Sequence, residues 1–130
     1  MFDPNDSATT LLFVLVPLVV TFITQRLYLH LVNPETDLYI RGHNVHHLFV
    51  GAVMALPAAF LLAFRPSAPW LSLGALAVLG SGSAMVLDQI VFLIATDGSN
   101  TSYLKPISLW SAIVMETLAV ALLLLIYLLS

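Results

Sequence analysis

The chain lacks cysteine, carries little charge and contains no basic segment. Without cysteine, disulfide bonds, thiolate metal sites and cysteine nucleophiles are all excluded. Only 8% of its 130 residues are charged, whereas soluble domains carry about a quarter. The net charge of −3, with four scattered Lys and Arg, argues against a nucleic acid partner. These absences indicate an integral membrane protein whose first partner is the lipid bilayer.

The apolar residues, 60% of the chain, fall into four runs long enough for membrane-spanning helices. A helix needs about 20 apolar residues to cross the bilayer core. The first run follows Asp3 and Asp6 without Lys or Arg, unlike a cleavable signal peptide, so we expect it to remain as a helix. The pattern predicts a single transmembrane domain over 1–130, an all-α, multi-pass four-helix bundle with both termini on one side. The predicted helices are roughly 9–31, 44–64, 70–96 and 107–129.

The breaks between the runs define two sides of the predicted bundle. The termini and the turn after the second helix lie on side A, and the loops after the first and third helices lie on side B. The polar loop after the third helix ends at Pro106, which suits the first turn of the last helix. We interpret Tyr103 in this loop as an interfacial aromatic residue. Lys105 and Arg41 are interpreted as solvated loop charges.

The ionisable residues within the predicted helices all fall in the half of the bundle toward side B. Charged side chains inside a bilayer are costly and face the bundle interior. We therefore expect these groups to meet between the helices. They are Arg26 and His30 on the first helix, His43, His46 and His47 at the start of the second, Asp88 on the third and Glu116 on the fourth.

Small residues at helical spacing predict which faces carry these groups. Small side chains let helix backbones approach closely in lipid, so a small-residue stripe marks a contact face. On the second helix, the four-residue spacing places His43 and His47 on the small-residue face, with His46 about 100° away. The predicted stripes are His43, His47, Gly51 and Ala55; Gly74, Ala77, Ser81, Ala84 and Asp88; and Ala112, Glu116 and Ala119.

The charges in this cluster do not balance when the histidines are neutral. Arg26 contributes one positive charge, whereas Asp88 and Glu116 contribute two negative charges. Because an uncompensated charge is costly away from water, three solutions are open: a proton on Glu116, a proton on a histidine, or a bound cation. The start of a helix disfavours a positively charged imidazole, so we expect neutral His46 and His47, the form that binds metal.

The side chains in this cluster have the chemistry of a divalent metal site, with zinc or iron as the candidate ion. A hydrogen-bonded polar cluster is the alternative interpretation, and axial ligation of a tetrapyrrole by one histidine is a third. An Arg26–Asp88 pair fastening the first and third helices is an equally good interpretation of Asp88. The candidate metal ligands are His43, His46, His47, Asp88 and Glu116, with Arg26, His30 and Gln89 as ion-pair or second-sphere residues.

Three functions are consistent with this cluster. The first is a membrane protein that binds a divalent metal between its helices. The second is a non-catalytic accessory subunit of a larger membrane complex or a homo-oligomer, in which the cluster holds the helices together. The third is a proton or ion pathway through Glu116 and Asp88, although the half toward side A offers few polar groups to continue it. Whether the chain is an enzyme stays open.

Two segments also resemble a group of small prokaryotic integral membrane proteins. These have a His-His pair followed four residues later by glycine, and a glycine-rich helix ending in Leu-Asp-Glu. Here "HNVHHLFVGAVM" and "GSGSAMVLDQIVFLI" match, with Gln89 in place of the acid. The resemblance covers two of the four helices. It implies a prokaryotic cell-membrane location, the helical fold and a pairing of the histidine helix with the aspartate helix.

Overall fold

The structure, a computed structural model, describes residues 6–31, 39–40, 43–96 and 99–130. Four long helices contain most of these residues, so the predicted all-α fold class is confirmed. A two-residue antiparallel pairing precedes the second long helix. The elements are α1 (Ser7–Leu31), β1 (Tyr39–Ile40), β2 (His43–Asn44), α2 (His47–Ala63), α3 (Pro69–Ala95), the single turn α4 (Asn100–Tyr103) and α5 (Pro106–Leu129).

Local sequence accounts for where three of the long helices begin. The Asp6 carboxylate accepts a hydrogen bond from the backbone N–H of Thr9 at 2.8 Å, which caps α1. Hydrogen bonding from Thr9 lowers the pKa of Asp6. Both α3 and α5 have proline in their first turn, Pro69 and Pro106, where the missing N–H costs nothing.

Three of the described helices, α1, α3 and α5, are long and apolar enough to cross a membrane. The fourth, α2, has 17 residues and is about 25 Å long, short of the bilayer core of about 30 Å. The predicted second helix, 44–64, begins too early, because α2 begins at His47. His43 lies in β2 instead of on α2, so the prediction that His43 and His47 share one helical face is wrong.

α3 lies in the middle of the bundle and packs against α1, α2 and α5. Two glycines on α3 allow its closest approaches. Gly80 lies directly against the backbone of Val14 on α1, and Gly82 lies against Gly51 on α2. Because residues two apart on a helix point about 200° apart, the Gly80–Ser81–Gly82 segment gives α3 a close contact on both sides.

The predicted small-residue stripe on α3 is correct at Ala84 and Asp88, which are buried, but wrong at Gly74. Gly74 is exposed, and no neighbouring atom lies within 4 Å of where its side chain would begin. The reason is that the contact faces of α3 are set by Gly80 and Gly82, which flank the predicted stripe. The buried core continues along α3 to Phe92.

Candidate functional site

A buried ion pair joins α1 to α3. The Arg26 guanidinium donates to Asp88 Oδ1 through Nε at 2.7 Å, and Nη2 lies 2.6 Å from the same oxygen. The Asp88 side chain is completely buried, and the Arg26 side chain is 11% exposed. The structure thus contains the Arg26–Asp88 pair that the sequence offered as one interpretation of Asp88.

Tyr103 binds the second oxygen of the Asp88 carboxylate. Its hydroxyl donates a hydrogen bond to Asp88 Oδ2, so both oxygens of Asp88 have partners. Tyr103 is only 4% exposed, and the interpretation of this residue as an interfacial anchor is wrong. Burial, and then the negative charge of Asp88, raise the pKa of the Tyr103 phenol.

The rest of the Arg26 guanidinium is engaged by α4 and α5. It lies 4.2 Å from the centre of the Tyr103 ring, a distance at which a cation–π interaction is favourable. It also donates to the Ser108 carbonyl at 3.1 Å and to the Ser108 hydroxyl at 3.4 Å. Ser108 is completely buried. We call Arg26, Asp88, Tyr103 and Ser108 the polar layer.

His47 touches the polar layer through the ring of Tyr103. The two rings meet edge-on with centres 5.8 Å apart, and Phe92 contacts the same tyrosine edge-on at 5.2 Å. Nε2 of His47 is buried, and it has no hydrogen-bond partner within the described part of the chain. The side chain of Tyr103 therefore contacts α1, α2 and α3 at once.

Glu116 lies deeper in the bundle than the polar layer. It follows Pro106, the first residue of α5, by ten positions, about 15 Å along the helix. The residue is 6% exposed. Neither carboxylate oxygen has a hydrogen-bond partner among the described residues.

Gln89 has a structural role at the start of α2. Its Oε1 accepts a hydrogen bond from the backbone N–H of Leu48 at 2.9 Å. The N-terminal N–H groups of a helix need partners, and His46, the N-cap residue of α2, supplies no side-chain cap. A buried glutamine on α3 therefore caps α2.

The described residues do not support the predicted zinc or iron site. Among them, no group of three His, Asp or Glu side chains is arranged to hold a metal ion. Both oxygens of Asp88 already accept hydrogen bonds, one from Arg26 and the other from Tyr103. The side chains of His30 and His43, as well as Arg41, lie outside the described part of the chain. Tetrapyrrole ligation stays a prediction.

An apolar cavity begins about one turn beyond Glu116 toward the C-terminal end of α5. It has a volume of about 500 Å³ and is lined by residues from α1, α2, α3 and α5, including Leu87 and Ala119. Among the described residues that line it, Ser83 is the only one with a hydroxyl group. Glu116 therefore stands between a polar layer on one side and an apolar space on the other.

Sequence reasoning missed Tyr103 and Ser108 as site residues. Tyr103 belongs to a polar segment between two apolar runs, a composition typical of a solvated loop, and Ser108 is an uncharged residue in the first turn of the predicted fourth helix. The sequence contains one indirect signal for such residues. Arg26 and Asp88 have more donor and acceptor sites than a single ion pair can satisfy, so further polar residues are expected beside them. Nothing in the spacing of residues identifies which loop residues supply them.

The fold and this site define a class, the small helical proteins whose helices are long and apolar enough to cross a membrane and have ionisable groups buried between them. No protein-family model, curated protein or solved structure matches the chain. Its function is therefore inferred from the polar layer, from Glu116 and from the charges around them.

Proposed function

We propose that this chain is a proton-binding membrane protein, in which Glu116 takes up and releases a proton inside the helix bundle. The observation that carries the proposal is the isolation of this carboxyl. It is buried at mid-length of a helix long enough to span a membrane, and within the described residues neither of its oxygens has a partner. Intramembrane carboxyls of this kind are typical of proton relays.

The charge balance supports a proton on Glu116 in the resting state. Arg26, the cation buried in this half of the bundle, is paired with Asp88, so its charge is already compensated. An ionised Glu116 would add an uncompensated negative charge close to Asp88, and burying such a charge costs several kcal/mol. Of the three solutions that the sequence leaves open, the neutral carboxyl requires no ligand and no change in the polar layer.

The surroundings of Glu116 support a site that exchanges protons with one side of the membrane. Toward side B lie the hydrogen-bonding groups of the polar layer and the free nitrogen of His47. Toward side A lies the apolar cavity, which offers no chain of polar groups. The chain therefore supplies one half of a pathway, and a complete crossing needs a partner, as in a subunit of a larger membrane complex.

Infrared spectroscopy of the full chain in liposomes tests the resting protonation state. At neutral pH we expect the carbonyl band of a protonated carboxyl, which disappears in Glu116→Gln. Asp6→Asn is the matched control, because Asp6 is an exposed carboxyl whose pKa is lowered, and it should leave the band unchanged. If wild type and Glu116→Gln have the same carboxyl bands, Glu116 is ionised at rest and the proposal is wrong.

A second measurement tests proton exchange itself. After a step in external pH from alkaline to neutral, liposomes containing wild-type chain should take up one more proton per chain than liposomes containing Glu116→Gln, because the other carboxyls and the histidines of the chain are the same in both. Thr117→Val, a change at the exposed neighbouring position on α5, should behave as wild type. Uptake that is indifferent to Glu116→Gln would remove Glu116 from any pathway.

The hydrogen bonds among the residues of the polar layer favour a second candidate function. In this candidate the chain is an accessory subunit, and these residues hold the bundle together. The hydrogen bonds of Arg26 connect α1 to α3, α4 and α5, which is the arrangement expected of internal fastening. Under this candidate Asp88→Asn destabilises the fold, while Glu116→Gln has no functional effect. Native mass spectrometry in mild detergent should then detect the chain with other subunits, and a chain that runs alone argues against this candidate.

A further inference from the structure

We infer that Tyr103 is the gate of the Glu116 site, and that water from side B reaches Glu116 only when Tyr103 leaves the polar layer. This inference rests on the proposed function, because a gate matters only if Glu116 exchanges protons. It assigns to Tyr103 the regulation of access to the site.

The order of the residues along the helices places the polar layer between Glu116 and side B. Asp88 lies seven residues before Ala95, the end of α3, or about 10 Å from that end. Ser108 lies in the first turn of α5, whereas Glu116 lies about 15 Å into it. A water molecule arriving between α3 and α5 therefore meets Asp88, Tyr103 and Ser108 before it meets Glu116.

Among the described residues, both oxygens of Asp88 already have hydrogen-bond partners, so a water molecule passing along this carboxylate competes with Arg26 or Tyr103. One carboxylate oxygen is taken by Arg26 and the other by Tyr103. The ring of Tyr103 fills the space between the Arg26 guanidinium and the rings of His47 and Phe92. With the tyrosine 4% exposed, the closed layer separates Glu116 from water on this side.

Tyr103 is the member of the layer that can move without disturbing a long helix. Arg26, Asp88 and Ser108 belong to helices of 24 to 27 residues, whereas Tyr103 ends α4, which has four residues. Local opening in proteins draws on segments with few stabilising contacts. A Lys105–Ser102 hydrogen bond of 2.9 Å and the Ser99 cap hold this turn from within. Displacing α4 removes the tyrosine and leaves the Arg26–Asp88 pair in place.

Two carbodiimides of different solubility test the gate on the full chain in liposomes, with labelling at Glu116 located by peptide mass spectrometry. Both reagents react with a protonated carboxyl. A lipid-soluble carbodiimide reaches Glu116 from the apolar side and reports the proposed proton site. A water-soluble carbodiimide added on side B reports access through the polar layer, and we expect it to label wild-type Glu116 only slowly.

Tyr103→Phe keeps the ring and removes the hydrogen bond to Asp88. We expect it to raise labelling of Glu116 by the water-soluble reagent about tenfold, the change in open population that follows the loss of one hydrogen bond to a charged group. Labelling by the lipid-soluble reagent should not change. Tyr28→Phe, at a tyrosine of α1 that is 56% exposed, is the matched control and should leave both rates as in wild type.

Ser102→Ala gives an independent test that removes no atom of the polar layer. It loosens α4 by deleting the hydroxyl that Lys105 and Ser99 contact, so the water-soluble reagent should again label Glu116 faster. If neither Tyr103→Phe nor Ser102→Ala accelerates this labelling, the gate is wrong even where the lipid-soluble reagent labels Glu116. If the lipid-soluble reagent fails to label wild-type Glu116, the proposed proton site is wrong, and the inference that Tyr103 controls access to it is then wrong as well.

Discussion

Gly51 on α2 and Gly82 on α3 lie against each other's carbonyl oxygens. A Cβ atom on Gly51 would stand 2.5 Å from the Gly82 oxygen, and a Cβ atom on Gly82 would stand 2.6 Å from the Gly51 oxygen. Both distances are too short for carbon and oxygen, so neither position accepts a side chain unless the helices separate. Because His47 lies one turn from Gly51 on α2, this contact also fixes the position of His47 along the helix axis relative to the polar layer.

Gly82→Ala should therefore destabilise the bundle by about 1–3 kcal/mol, the usual cost of overpacking a tight contact. Gly74→Ala on the same helix is the matched control, because the space beside Gly74 is open. There the gain in helix propensity, up to about 1 kcal/mol, has no opposing clash. Unfolding in detergent, followed by circular dichroism, measures both changes. Equal stability of the two variants would contradict the close contact.

The Arg26–Asp88 pair should be strongly coupled in a double-mutant cycle. Arg26→Met leaves a buried carboxylate without its cation, for which we expect a loss of about 3–5 kcal/mol. Asp88→Asn leaves the guanidinium unpaired in turn. The double variant should lose clearly less stability than the two single losses added together. Additive losses in the same unfolding assay would mean that the pair does not stabilise the fold as a unit.

Gln89→Leu should loosen the start of α2 without unfolding the bundle. The substitution leaves the partly buried N–H of Leu48 without its partner, which costs about 1 kcal/mol. Hydrogen–deuterium exchange should become faster at Leu48 and its neighbours in the first turn. Gln25→Leu is the matched control, since Oε1 of Gln25 has no hydrogen-bond partner in the described ranges. A similar response to both substitutions would exclude Gln89 as the cap.

Tyr103 should stay un-ionised at a pH where ordinary tyrosines titrate. Its pKa is raised by burial and by Asp88, so the folded state favours the neutral phenol. The resulting stability is fully present below the ordinary tyrosine pKa of about 10, and it is lost as the pH rises above that value. Ultraviolet titration to about pH 11 should show the same tyrosinate absorbance in wild type and in Tyr103→Phe. A larger signal from wild type would show that Tyr103 ionises normally.

Much of the fold was predictable because burial in lipid imposes a simple composition on spanning helices. The apolar runs located α1, α3 and α5 to within two residues, and Pro106 marked the start of α5. The start of α2 was misplaced because His43 and Asn44 carry no helix-breaking signal, while the structure pairs them with β1. Local composition does not report a backbone pairing of this kind.

Residues of the candidate site were predictable only where placing the side chain inside a membrane costs much free energy. Arg26, Asp88 and Glu116 stand out in the sequence because charge is scarce, and the structure buries Asp88 and Glu116 and pairs Arg26 with Asp88. Tyr103 did not stand out, since a tyrosine in a loop is usually an interfacial anchor. Its burial depends on the loop folding back onto Asp88, a tertiary contact that no local pattern encodes.

The short length of α2 has a consequence for the membrane around the protein. A helix about 5 Å shorter than the hydrocarbon core creates a hydrophobic mismatch beside neighbours that are long enough to span it. Lipids next to such a helix thin locally to cover its ends. We therefore expect the thickness of the surrounding bilayer to set how far the aqueous phase lies from His47 at the start of α2.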